Sequence, residues 1–214
     1  MHIPDGLIAP QAYLPAFALV VPIWAFSVRK VARSFDEALV PRLAVLTALA
    51  FVLSSIMLPL PGGTSGHLIG VGLLALAFGL WPAFLTYSLV LALQSLLLGA
   101  GGITVLAINA LCMGLVGAGV TLLVYRMLAR WSRPLAIVIG VWSGVVASSV
   151  LVALALGMQP LLGSDAGGQP LFFPFGPAVT LPIIVGTHAL TGLGEGLLTC
   201  LVFGVFEKRV LATT

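Results

Sequence analysis

The sequence predicts an all-α polytopic membrane protein, and three numbers carry that expectation. Of 214 residues, 60% are hydrophobic and 7% are charged, and mean hydropathy is +1.21. Soluble domains carry about a quarter charged residues, so this chain cannot clothe a water-facing surface. The same figures exclude disorder and a secreted disulfide scaffold. They also exclude a nucleic-acid surface, because nine Lys and Arg against six Asp and Glu are too sparse to track phosphates. Cys112 and Cys200 sit inside apolar stretches, lack a CxxC partner and read as core packing.

A helix needs roughly 20 apolar residues to cross a hydrocarbon core of roughly 30 Å. Seven segments answer that description: 11–28, 43–60, 67–80, 82–98, 103–125, 134–158 and 182–206. Arg29, Lys30 and Arg33 close the first, and a Pro- and Gly-rich turn at 61–66 closes the second. The third is short. Trp81 then makes an interfacial anchor, and Pro82 suits the first position of the fourth helix. Glycines at 99, 101 and 102 make the turn into the fifth, and Arg126, Arg130 and Arg133 flank its end. A loop at 158–176, holding Asp165 and the aromatics Phe172, Phe173 and Phe175, precedes the seventh. Residues 1–214 therefore read as a single transmembrane domain with a short arm at 1–10. The first span is not a cleavable signal, because its basic residues follow it.

Charge orients the chain. Every Lys and Arg falls within 29–42, 126–133 or 208–209. With the N-terminus outside, those segments follow spans one, five and seven, and all three face the cytoplasm. Deleting the short third span would split them between the two sides. The expected topology is therefore N-out and C-in, and it puts His2 and His67 on the same external face.

The opening Met1-His2-Ile3-Pro4-Asp5-Gly6 holds the most chemistry per residue. The Met1 amine, the His2 backbone nitrogen and His2 Nδ1 can close two fused chelate rings on a divalent ion able to displace the amide proton. One more imidazole completes four nitrogens, and His67 is the candidate. A tetragonal all-nitrogen set suits Ni(II) or Cu(II), with Co(II) as a further option. Pro4 limits the arm's flexibility and so the entropy lost on closure. The competing reading makes His2 an incidental terminal residue and His67 a helix cap. Two histidines alone do not separate the two.

The start MHIPDG, the segment Gly66-His67-Leu68-Ile69-Gly70, Trp81-Pro82 and Gln94 together resemble a known family. So do residues 101–109, ending in Asn109, and the late His188 and Glu195-Gly196. The resemblance is to the substrate-binding S components of cobalt and nickel energy-coupling factor (ECF) transporters, the CbiM/NikM family, and it runs in order along essentially the whole chain. It implies that Met1, His2 and His67 hold the metal, and that seven helices replace the six usual in S components. It implies partners too: two ATPase subunits, a transmembrane coupling subunit and often a small accessory membrane subunit. The transported Ni²⁺ or Co²⁺ is cargo, and no prosthetic group is expected. The plasma membrane is the expected location. The 158–176 loop matches no family motif.

Asn109, Thr104 and Gln94 are the candidates to hold the ligands from outside, although each serves equally as a polar contact between helices. His188 and Glu195 lie seven apart, on one helix face. Glu195 is either a proton-coupled site or a structural group where Gly194 and Gly196 let helices approach. The glycines at 114, 117 and 119 and at 192, 194 and 196 suit either packing within the chain or docking of another subunit. No GxxxxGK[ST] motif occurs, so the chain is not expected to be an enzyme or to hydrolyse ATP. A serine-hydrolase site at Ser143 lacks the GxSG context. A stand-alone secondary transporter using Glu195 is the alternative to the S component, but no internal repeat supports it.

Overall fold

The computed structural model describes residues 1–33, 37, 39–56, 58–60 and 64–206. The described chain forms seven helices: α1 (Pro10–Arg33), α2 (Leu39–Ser55), α3 (Val71–Phe78), α4 (Leu80–Leu98), α5 (Leu106–Leu128), α6 (Arg133–Gly157) and α7 (Pro177–Phe206). One antiparallel hairpin, β1 (Leu58–Leu60) with β2 (Thr64–Gly66), lies between α2 and α3. By length and composition α1, α4, α5, α6 and α7 are each able to cross a membrane. Their outer faces carry Leu14, Leu19, Leu96, Leu190 and Leu201, all more than half exposed. Such faces suit hydrocarbon and not water.

Three expected boundaries are corrected. The second helix stops at Ser55 instead of running to 60. Pro59 has no N–H and would clash with a helical carbonyl, so Leu58–Leu60 pair across the hairpin with Thr64–Gly66. The turn expected at 61–66 falls partly on residues 61–63, outside the described residues. The third helix starts at Val71, not at 67, and its eight residues rise only about 12 Å, too little to span alone. Gly70, in the left-handed region at φ +81°, makes the break, and a Cβ there would lie 2.9 Å from Ala50 Cβ. The last helix begins at Pro177, with Pro182 inside it. The Gly176 carbonyl takes hydrogen bonds from Val179 N and Thr180 N, which starts the helix one turn earlier than Pro182 suggested.

Small residues bring the later helices together. A Cβ on Gly117 of α5 would meet Ser148 Oγ of α6 at 2.7 Å, and one on Gly196 of α7 would meet the Val138 carbonyl of α6 at 2.7 Å. Gly192 packs on Val145 in the same interface. These glycines therefore serve packing within the chain. Gly194 has nothing within 4 Å and lies on the open side of α7. Across this frame the N-terminal arm runs inward. Ile3 and Ile8 are buried with Met1, in one core with Tyr87, Phe84, Ile69 and Met113.

Candidate metal centre

An extended arm has no hydrogen-bonding partners of its own, so each buried backbone group needs one from elsewhere. Asn109 supplies two for Ile3: its Oδ1 accepts from Ile3 N at 3.1 Å and its Nδ2 donates to the Ile3 carbonyl at 3.0 Å. Gly102 N adds a bond to the same carbonyl at 3.0 Å. Asp5 fixes the next turn. Its carboxylate accepts from Ile103 N at 3.1 Å, from Thr104 N at 2.9 Å and from Thr104 Oγ1. The Thr104 hydroxyl holds the Asp5 carboxyl below its usual range; burial opposes it, and the backbone N–H groups of Thr104 and Ile103 add to the lowering. Further along, Phe173 N donates to the Leu7 carbonyl at 3.2 Å and Ala9 N to Gln159 Oε1 at 2.8 Å. The 158–176 loop, unmatched in the sequence reading, is thus one of the arm's clamps.

Glycines let the arm sit this close. Gly101 has φ +86°, and a Cβ there would lie 3.3 Å from His2 Cβ. A Cβ on Gly102 would overlap both the Asp5 carboxylate and the Asp5 backbone nitrogen, so only glycine fits. Asn109 itself ends the regular first turn of α5, directly before a π-helical stretch at Ala110–Val116. Such stretches are enriched at functional sites.

The result is a meeting of nitrogens. The Met1 amine lies 2.8 Å from His67 Nε2. The His2 and His67 rings stack with centroids 4.4 Å apart and planes 20° apart. His67 Nδ1 lies 3.1 Å from the Leu68 carbonyl oxygen. A carbonyl only accepts, so Nδ1 bears the ring proton and Nε2 presents its lone pair to the amine. Burial pushes the Met1 amine down from 8.0 to about 5. It is therefore neutral at pH 7, with a lone pair of its own. Burial also holds His2 well below the usual 6.5, with smaller contributions from His67, the Met1 amine and His188. Two nitrogens on adjacent corners of a square with metal bonds of about 2.0 Å lie about 2.8 Å apart. The Met1–His67 pair has that spacing.

The other singled-out residues divide clearly. Asn109 and Thr104 touch the arm, but neither touches a donor nitrogen. Gln94 does not join them: its Nε2 donates to Ser54 Oγ of α2 at 2.7 Å. Glu195 accepts from Ile69 N at 2.7 Å and Gly70 N at 2.8 Å, and so fixes the segment that carries His67. His188, also buried, lies within electrostatic reach of the Met1 amine and both other imidazoles. Among the described residues no three His, Cys, Asp or Glu side chains converge on a metal position. The candidate centre is instead built from an amine, a backbone nitrogen and two imidazoles. Asp5 and Gln159 have no role assigned from the sequence, and Gly101 reads there only as part of a turn; the DG of the opening hexapeptide is the signal for Asp5.

The chain is similar to several known proteins over nearly its full length. The family described as "Cobalt uptake substrate-specific transmembrane region" (CbiM) matches residues 2–210. The fused nickel transport protein NikMN of Rhodobacter capsulatus is 37% identical over 206 residues, covering 93% of this chain and 59% of that protein. The cobalt transport protein CbiM of Ruminiclostridium cellulolyticum is 32% identical over 213 residues, covering 97% of this chain and 83% of that protein. A crystal structure titled as a truncated transition metal transporter superposes with a TM-score of 0.92 at 36% identity, over 98% of this chain and 99% of that one. Against the fused nickel proteins of R. capsulatus and Lactiplantibacillus plantarum, the chain spans only 59% and 66% of the relative's length. With its several apolar helices, this is a multi-pass membrane protein, and it belongs to the CbiM family of nickel and cobalt uptake proteins.

Proposed function

We propose that the chain is the substrate-binding S component of an ECF-type importer. It captures Ni²⁺ or Co²⁺ at the outer face with Met1 N, the His2 backbone nitrogen, His2 Nδ1 and His67 Nε2, and passes the ion inward. The observation that carries this reading is the neutral Met1 amine held 2.8 Å from His67 Nε2. The amine keeps a lone pair of its own while one of its N–H groups meets the His67 lone pair, and a divalent cation seated between them would replace that single hydrogen bond with two metal–nitrogen bonds. The basic segments at 29–42, 126–133 and 208–209 support an external arm and a cytoplasmic C-terminus.

Energy comes from partner chains: two ATPase subunits and a transmembrane coupling subunit, with a small accessory membrane subunit as a further member. The competing reading, a secondary transporter driven through Glu195, gains no support from that carboxylate's position. Both its oxygens are taken by backbone N–H groups at residues 69 and 70. Nickel uptake into proteoliposomes separates the two. The S-component reading expects uptake only when ATP and the partner subunits are present. Uptake by this chain alone, without ATP, would replace it with the secondary transporter.

A further inference from the structure

His188 and Glu195 lie on one stripe of α7, seven residues and about two turns apart. Glu195 touches residues 69 and 70, so that stripe faces the segment carrying His67. Two turns earlier on the same stripe, His188 is 3% exposed. Its Nδ1 lies 2.7 Å from the Ile184 carbonyl oxygen. The carbonyl accepts only, so Nδ1 carries the ring proton and Nε2 is a bare acceptor. That Nε2 is buried and has no hydrogen-bond partner.

A second imidazole in the same interior has the complementary need. His2 Nε2 is also buried and without a partner. On the reading proposed above, His2 binds the metal through Nδ1. Its one remaining ring proton then sits on Nε2, which becomes a donor. Ligating histidines almost always give that second N–H to an acceptor, which fixes the ring and raises its basicity. The two unpartnered nitrogens share one interior: His2 stacks on His67, and His188 lies on the α7 stripe whose Glu195 grips residues 69 and 70 of the His67 segment.

We propose that His188 is a positioning residue for the metal: its Nε2 accepts the Nε2–H of His2 once the ion holds His2 Nδ1. The link ties the loaded arm to α7. Occupancy of the centre is thereby felt on the helix whose Glu195 also holds the His67 segment. This inference rests on the metal-binding reading and deepens it.

The test is a Ni²⁺ titration of the full chain carrying His188→Leu or His188→Gln. Leu keeps the volume and removes the acceptor, whereas the Gln Oε1 supplies one. The expected result is a loss of affinity of about tenfold or more in His188→Leu, restored to within about threefold of wild type by His188→Gln. Equal affinity in His188→Leu and wild type overturns the inference and leaves the metal-binding reading standing. Failure of the wild-type chain to bind Ni²⁺ overturns both. A readout independent of the variants is the nitrogen-15 spectrum of histidine-labelled wild type loaded with Ni²⁺. A hydrogen-bonded, exchange-protected Nε2–H on His2 supports the link. A His2 ring proton exchanging freely with water, or located on Nδ1, refutes it.

Discussion

The N-terminal arm and the α6–α7 pair are both buried, yet they are held by different forces. Along α6 and α7 each backbone satisfies itself through helical hydrogen bonds, so what joins the helices is shape: Gly196 against Val138 and Gly192 against Val145. Only a few polar contacts are added, such as Trp142 Nε1 donating to the Ala189 carbonyl at 2.9 Å. The arm has no helix to satisfy it. Its backbone is met instead by Asn109, Gly102, Phe173 and Gln159, and its Asp5 carboxylate is held by the N–H groups of Ile103 and Thr104. Packing builds the frame, and directional bonds place the donor nitrogens within it. Damage to the frame should cost stability, whereas damage to the clamps should cost metal affinity.

The strongest way to break this contrast is to remove a donor. His67→Ala deletes one of four nitrogens and should weaken Ni²⁺ binding by about a hundredfold or more, read by competition with a chelator of known affinity. Asn109→Ala removes two bonds from Ile3, next to the chelating residues, and should cost roughly ten- to a hundredfold in affinity. Retained affinity in that variant, at unchanged stability, would mean that the arm needs no such clamp.

Glu195→Gln comes next. An amide accepts one of the two N–H groups at 69 and 70 and opposes the other, so affinity should fall by about tenfold, with uptake falling in proportion. Uptake lost while affinity is kept would instead make Glu195 a proton-coupled site. Smallest in its effect on binding is Gly196→Ala. A Cβ there meets the Val138 carbonyl at 2.7 Å, so thermal unfolding should show a loss of roughly 1–3 kcal/mol while the folded fraction binds Ni²⁺ as wild type does.

Protonation offers a sharper probe of the arm alone. An ordinary amine of pKa 8.0 is mostly protonated at pH 7 and gives up its proton to a metal, in addition to the proton lost by the amide. Here the amine is lowered to about 5, so at pH 7 only the amide proton remains to be displaced. Calorimetry in buffers of differing ionisation enthalpy should report about one proton released per Ni²⁺. About two would show that the amine is charged before the metal arrives. Affinity should then fall about tenfold per pH unit from 7 towards 5 as the amide proton competes, and more steeply below about 5, where protons also compete for the amine.

The helices were legible because long apolar runs are a strong local signal: seven were anticipated and seven form among the described residues, of which five are long and apolar enough to cross a membrane. Their ends were less so. The apolar run through residue 60 hid a hairpin, since Leu58 and Leu60 suit a strand as well as a helix, and Pro182 marked a helix interior where it had suggested a start. At the centre, the chelating potential of Met1 and His2 could be read from two adjacent residues. Glu195's grip on residues 69 and 70, and Gln159's on Ala9, could not: these partners lie 125 or more positions apart and leave no local pattern. The partner of Gln94 was hidden for the same reason. Gln94's depth in the fourth helix was legible, but its partner Ser54 in α2 was not.

The central claim is that the Met1 amine is a metal ligand held in place by the arm's clamps. Its most direct test is to extend the chain by one residue before Met1, confirm the intact mass, and titrate Ni²⁺ and Co²⁺. The extension turns the amine into an amide within a buried site that has no room for it, and binding of both ions should be lost. Affinity equal to that of the unextended chain would contradict the chelate.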